Sequence, residues 1–237
     1  MKKGYYSIEF IPFFILGISY AYLTFMCRYI IFLFFAWMTS DLTCQIPVAE
    51  EPLHHIIYED EEIRILEILA APGDTSLMHQ HDYNYSYIAL SGGKMWLEDK
   101  GAEQREVNLP KHYIGGKANL SESPFVHRFA NLDDHMIRFF TVESKAISPN
   151  HSQVELISEE YKYQSEFFAV SILEIAPKSA CSLSHETTLV VLNLHELPLF
   201  ISQKNKLKYW MRFAKKEPVR IQNMEDVAIK IVVFEIN

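Results

Sequence analysis

The chain has 237 residues, 49% of them hydrophobic and 22% charged, with 8 Gly, 10 Pro and 3 Cys. That composition excludes a disordered tail, a collagen-like repeat and a disulfide-stapled miniprotein. Thirty acidic residues face 22 basic ones, a net charge of −8, and no basic block appears anywhere. Phosphate-gripping proteins show the opposite balance, so nucleic acid is set aside as a partner.

The chain opens on different material from the rest. Residues 10–27 carry no charge, Arg28 interrupts, and residues 29–40 are again uncharged. From Gln45 onward the composition is that of ordinary soluble protein, with 19 basic residues against 28 acidic ones. Two readings of residues 1–44 compete. If translation starts at Met1, residues 10–27 form a hydrophobic helix just long enough to span a bilayer, weakened by Pro12 and Gly17. If it starts at Met26, then Met26-Cys27-Arg28, residues 29–38 and Thr39–Cys44 follow the order of a secretory signal peptide. Both readings place the body outside the cytoplasm, periplasmic or secreted, with membrane contact only through residues 10–40. Cys27 and Cys44 lie in or beside this segment, which leaves Cys181 as the body's lone thiol and no intrachain disulfide expected there.

From residue 52 on, short runs alternate apolar and polar residues between Pro, Gly, Asn and Asp. They include Arg64–Leu69, Tyr83–Leu90, Lys94–Glu98, Phe125–Phe129 and Met136–Val142. Period-two patterning with turn punctuation predicts an all-β sandwich or barrel. An internal repeat divides it. Asn131–Glu143 aligns without gaps to Asn223–Glu235, with four of 13 positions identical. A second pair, Leu66–Pro72 and Leu173–Pro177, occurs in the same order. These matches predict a duplication, with lobes over 50–147 and 155–237 and Ser148–Ser152 as the linker.

The chemistry-bearing stretch runs from Gly73 to Gly92. Alternate residues of a strand share a face, so His79, His81, Tyr83, Tyr85 and Tyr87 are expected to point one way. Imidazoles at i and i+2 start about 7 Å apart and converge readily on one metal ion. Pure core patterning would place Val or Ile there. Tyr87 suits either pocket or core, and Tyr83 and Trp96 are read the same way. His54, His55, His112 and His151 fall in polar connecting segments and read as surface histidines. His135 alternates away from the apolar face of its strand.

This spacing resembles the first signature of the cupin superfamily. Gly73, His79, His81 and Gly92 fall in register, and Tyr85 stands at the position of the usual glutamate. The second signature is matched by Gly116, His127 and Asn131, while Glu122 and Pro124 replace its usual Pro and Gly. The resemblance covers roughly residues 60–143, and the duplication extends it to a bicupin. It implies a double-stranded β-helix, the cupin jelly-roll barrel, duplicated and preceded by the hydrophobic N-terminal helix. It also implies a divalent transition metal (iron, zinc, copper, manganese or nickel) held by His79, His81 and His127, and a small polar organic ligand in the barrel.

Tyr85 is the expected catalytic residue, orienting substrate or a metal-bound water. Dioxygenase and isomerase reactions belong to the superfamily's repertoire, and so do metal-free members that only bind or build. Its barrels often pair through exposed edges, which extends to this chain the expectation of a homodimer. The second lobe offers only His185 and Glu186 at the first signature, and Val219 where the first lobe has His127. It is expected to be degenerate and structural.

Overall fold

The computed structural model describes residues 45–147, 161–195, 197, 199–201, 205–207 and 209–237. Residues 1–44, expected to be a signal peptide or anchor, the expected linker and His151 lie outside the described residues. No helix among the described residues is long and apolar enough to cross a membrane. Residues 45–237 form one compact unit.

The first lobe contains ten strands. They are β1 (Ile46–Pro47), β2 (His54–Glu59), β3 (Ile63–Ala70), β4 (His79–His81), β5 (Asn84–Ala89), β6 (Gly93–Asp99), β7 (Arg105–Leu109), β8 (Ile114–Lys117), β9 (Phe125–Asn131) and β10 (Ile137–Ser144). Two five-stranded sheets result, ordered β1-β4-β9-β6-β7 and β2-β3-β10-β5-β8. The lobe starts before the expected residue 50, because β1 pairs in parallel with β4 through Ile46 and His79.

The second lobe continues with β11 (Tyr161–Gln164), β12 (Phe168–Ile175), β13 (Ala180–Leu183), β14 (Thr188–Asn193), β15 (Leu199–Ile201), β16 (Asn205–Leu207), β17 (Trp210–Phe213), β18 (Val219–Gln222) and β19 (Ile229–Ile236). Its sheets are ordered β11-β12-β19-β14-β17 and β13-β18-β15-β16. The first of these repeats the order β2-β3-β10-β5-β8 strand for strand. The second repeats β4-β9-β6-β7.

Alternation explains how the lobes are joined. β3, β5 and β10 bury side chains on both faces, as strands covered on both sides must. One face turns Ile63, Ile65, Ile88, Phe140 and Val142 toward Phe168, Val170, Val190, Val232 and Phe234 of the second lobe, in a single shared core. The opposite face closes the first barrel over Leu66, Ile68, Ala89, Met95, Phe129 and Phe139. Ion pairs from Arg212 to Asp60 (2.9 Å) and Glu62 (2.7 Å) lie at the rim of the inter-lobe core.

The repeated asparagines are turn locks. The Asn131 side-chain amide donates to the carbonyls of Ala70 (2.9 Å) and His135 (2.8 Å), and its Oδ1 accepts from the Asp133 amide (2.8 Å). Asn223 does the same in the second lobe, donating to Ile175 (3.0 Å) and Val227 (2.7 Å) and accepting from the Glu225 amide (2.9 Å). Both are fully buried, so each satisfies backbone groups that water cannot reach.

Candidate metal centre

The segment from His79 to Tyr87 is not one strand. It bends at Asp82 and Tyr83, so β4 joins one sheet and β5 the other. The bend turns Tyr83 off the shared face. Its ring instead lies beside the Arg64 guanidinium, 5.1 Å from ring centroid to Cζ. His79, His81, Tyr85 and Tyr87 remain close along the barrel wall. His81 and Tyr85 approach to 4.7 Å between ring centroids, and Tyr85 and Tyr87 to 6.3 Å.

His127 reaches the same place from β9. The β4–β9 ladder sets it directly opposite His79, and their rings are 4.5 Å apart. Its Nε2 is 3.2 Å from Nε2 of His81. The three predicted histidines therefore meet, although they come from two separate chain segments.

A fourth joins them. His54 was expected on the surface, but it is only 7% exposed, at the start of β2, with its ring 4.5 Å from His79. His54, His79 and His81 each offer a ring nitrogen, all within 4.8 Å of one another. This trio and the predicted one share His79 and His81 and differ in the third member.

The far side of three of the four rings is fixed by an acceptor. His54 Nδ1 is 2.5 Å from the buried Glu51 carboxylate, His79 Nδ1 is 2.9 Å from the Leu77 carbonyl, and His81 Nδ1 is 3.3 Å from Glu143. An imidazole whose Nδ1–H donates outward keeps its Nε2 lone pair for the interior, and metal-binding histidines are generally held this way. His79 Nε2 is buried and has no hydrogen-bond partner. Leaving such an acceptor unpaired is costly unless something sits against it.

Electrostatics keep His79, His81 and His127 neutral. Burial, reinforced by the neighbouring His54, lowers His79 to about 4. Burial and the adjacent imidazoles likewise hold His81 and His127 well below the ordinary histidine value. Neutral imidazole is the form that ligates a metal. Two nitrogens on one tetrahedral ion lie about 3.3 Å apart, given metal–nitrogen bonds of about 2.0–2.1 Å. The contact between His81 and His127 matches that spacing. The donor set is all nitrogen and suits zinc, copper or iron better than magnesium or calcium.

Glu143 is the residue that spacing did not flag. It is fully buried on β10, with Oε2 3.1 Å from Arg64 and Oε1 facing His81. Burial lifts it to about 7, against the pull of Arg64. Tyr85, at the usual glutamate position, is held protonated by burial, far above an ordinary phenol. As a phenol it is a weak ligand.

A cavity of about 300 Å³ opens beside the rings, lined by His54, His81 and His127 among others. Tyr85 and Tyr87 line it too, with Met95, Val107, Leu109 and Phe139 as apolar wall and Asp99, Arg105 and Lys117 as charged members. Trp96 does not line it, and carries the Arg128 guanidinium at 5.5 Å.

Among the described residues, the second lobe has no counterpart. β13 pairs with β18 as β4 pairs with β9, which sets Leu183 at the place of His79 and Val219 at that of His127. Both pack in an apolar core that fills the barrel. His185 turns both ring nitrogens to backbone carbonyls, Thr187 at 2.5 Å and Glu217 at 2.7 Å, and has none free.

Taken together, the two sheets, the strand order and the histidines inside the first lobe define a cupin fold. Comparison with solved structures gives the same fold. AerE from Microcystis aeruginosa superimposes with a TM-score of 0.57 at 15% identity, over 79% of this chain and 98% of that one. A cupin 2 conserved barrel domain protein from Leptotrichia buccalis gives 0.51 at 9% identity, over 80% and 90%. A variant of the salicylate 1,2-dioxygenase from Pseudoaminobacter salicylatoxidans gives 0.50 at 9%, over 73% and 71%. No protein-family model and no curated protein matches the chain in sequence.

Proposed function

We propose that this protein binds a divalent transition metal in its first barrel, through His79 and His81 together with His54 and His127, and takes a small organic molecule into the adjoining cavity. The observation that carries the reading is the unpartnered, buried Nε2 of His79. It sits among imidazoles whose other nitrogens are already committed to Glu51, Leu77 and Glu143. A metal bound there would act as a Lewis acid or redox centre toward the molecule in the cavity. The chain's own residues do the rest. Glu51, the Leu77 carbonyl and Glu143 fix the ring tautomers, Tyr85 and Tyr87 form one polar wall, and the apolar wall excludes water.

A dioxygenase- or isomerase-type reaction is the chemistry we assign to the site, with Tyr85 orienting the substrate. The salicylate dioxygenase shares the fold, which supports oxygenase chemistry as one use of such a barrel. We also assign the protein to an extracytoplasmic location, from the uncharged residues 10–27 and 29–40.

The experiment is elemental analysis of the full chain purified in mild detergent. About one transition metal per chain is expected, lost from His79→Ala while the circular dichroism of the β fold persists. A metal-free protein whose melting temperature does not respond to zinc, copper or iron would favour a barrel that only binds or builds. Mass spectrometry of the mature N-terminus tests export: cleavage near residue 44 supports a signal peptide, and an intact terminus in the membrane fraction supports an anchor.

A further inference from the structure

The charges around the cavity do not cancel. Arg105 is matched, because its two terminal nitrogens face the two oxygens of Asp99 at 3.0 and 3.3 Å. Lys117 is not. It stands on β8 opposite Tyr85 and lines the cavity, and among the described residues no carboxylate lies within ion-pair distance of it. Asp99 also acts on it, but at longer range and with both oxygens engaged by Arg105.

The lysine is separated from the histidines by one aromatic ring. Its ammonium lies 3.1 Å from the centroid of Phe125, and that ring stacks on His127 at 4.5 Å with 20° between planes. A cation over an aromatic face keeps part of its attraction for an anion beside the ring. At the metal end every proposed ligand is an imidazole, so the charge of a dication would be unrelieved by any ligating carboxylate. The nearby Glu143 is already paired with Arg64. A protein of net charge −8 thus holds a positive pocket in its first barrel. The other sheet contributes an apolar wall, built from Met95, Val107 and Leu109. The volume is at the lower end for small-molecule sites.

We infer that the ligand of this cavity is a compact organic monoanion, a carboxylate on an apolar body, with its charge held by Lys117 on the side of the histidines and its hydrocarbon against the apolar wall. The inference rests on the metal reading for part of the positive charge and on Lys117 for the rest. Lys117 is therefore the residue that selects anion over neutral isostere.

Isothermal titration of the full chain, metal-loaded and chelator-stripped, tests this with benzoate and hexanoate, each beside its amide. At least one acid is expected to bind the loaded protein about tenfold or more tighter than its amide. Lys117→Met should lose that advantage without changing amide binding, and Lys117→Arg should restore most of it. Equal binding of acid and amide would overturn the inference, as would an undiminished preference in Lys117→Met. So would failure of both acids to bind protein that elemental analysis shows to be loaded. Acid binding that needs Lys117 in protein that never takes up metal would uphold the anion site and sink the metal reading instead. Lys117 is exposed on a strand, so its variants should fold, and their melting temperatures confirm it.

Discussion

Glu143 and Glu235 occupy the same place in the two lobes, yet among the described residues only Glu143 has ion-pair partners. Each lies on the central strand of its sheet, paired across the ladder with β3 and β5 in one lobe and with β12 and β14 in the other. Around Glu143 the neighbours are Arg64 and Tyr85, and around Glu235 they are Ala169 and Leu189. Glu143 holds Arg64 and His81, whereas Glu235 is 1% exposed with Oε1 unpaired. The second lobe has Leu183 and Val219 at the places of His79 and His127, and its carboxyl group at this position is unpaired.

That stranded carboxyl group should make stability depend on pH. Burial alone lifts Glu235 from 4.5 to about 8. Below pH 4.5 it is protonated folded and unfolded, and carries no penalty. Between 4.5 and 8 the unfolded chain releases the proton while the folded chain keeps it, so this group's contribution declines as pH rises. Above 8 the penalty is complete. Glu235→Gln should therefore leave stability near pH 4.5 almost unchanged and raise it at pH 8 by on the order of 4 kcal/mol. Urea denaturation at the two pH values measures the difference, and an equal shift at both would rule out titration of Glu235 as its source.

In the first lobe the equivalent change should act on the metal. Glu143→Gln keeps the shape and one acceptor but removes the charge that orients His81. Loss of such an outer partner typically costs 10- to 100-fold in metal affinity. A chelator competition should show at least about a tenfold weaker site. Arg64 retains Glu59, at 3.0 and 3.2 Å, so its own charge is not stranded by the change.

His54 supplies the sharpest test of the ligand set, because His55 beside it is an internal control. His55 is exposed on the other face of β2. His54→Ala should weaken metal binding at least about tenfold, and His55→Ala should leave it unchanged. If the two variants behave alike in the chelator titration, the fourth imidazole is not a ligand.

These residues differ in how far the sequence exposes them. His79, His81 and His127 were legible because a strand's period of two and the fixed offsets of Gly73, Gly92, Gly116 and Asn131 place them together. Asn131 and Asn223 were legible as repeat landmarks, and the structure gives the reason in the turn each one locks. His54 was not, because it sits in the run His54-His55-Ile56-Ile57-Tyr58-Glu59, where alternation is broken by a bulge between Ile56 and Tyr58. The carboxylate three positions earlier, Glu51, was the available clue. Glu143 was legible but unread: alternation puts it on one face with Phe139 and Thr141, which line the cavity. The bend at Asp82 had no clear local signature, since the run from His79 to Tyr87 alternates without a break. Only the pairing of β4 with β9, and of β5 with β10, separates it into two sheets.

Gly116 joins the fold to the pocket. It is the glycine of the second signature and lies on β8, one residue before Lys117. A Cβ added there would press directly on the Tyr85 carbonyl and come within 2.8 Å of the Tyr163 ring, which β11 of the second lobe lays against this strand. Backbone cannot swing aside, so β8 would have to move. At Gly115 the added carbon meets the Tyr87 hydroxyl end at 2.9 Å and the Tyr113 ring at 3.1 Å, both side chains that can turn. Gly116→Ala should thus cost about 1–3 kcal/mol, as overpacking does, and Gly115→Ala less. Because β8 carries Lys117, the same displacement should weaken binding of the anionic probe while metal content stays intact. Denaturation and titration of the two variants side by side would show whether the second lobe, through Tyr163, holds one wall of the first lobe's cavity in place.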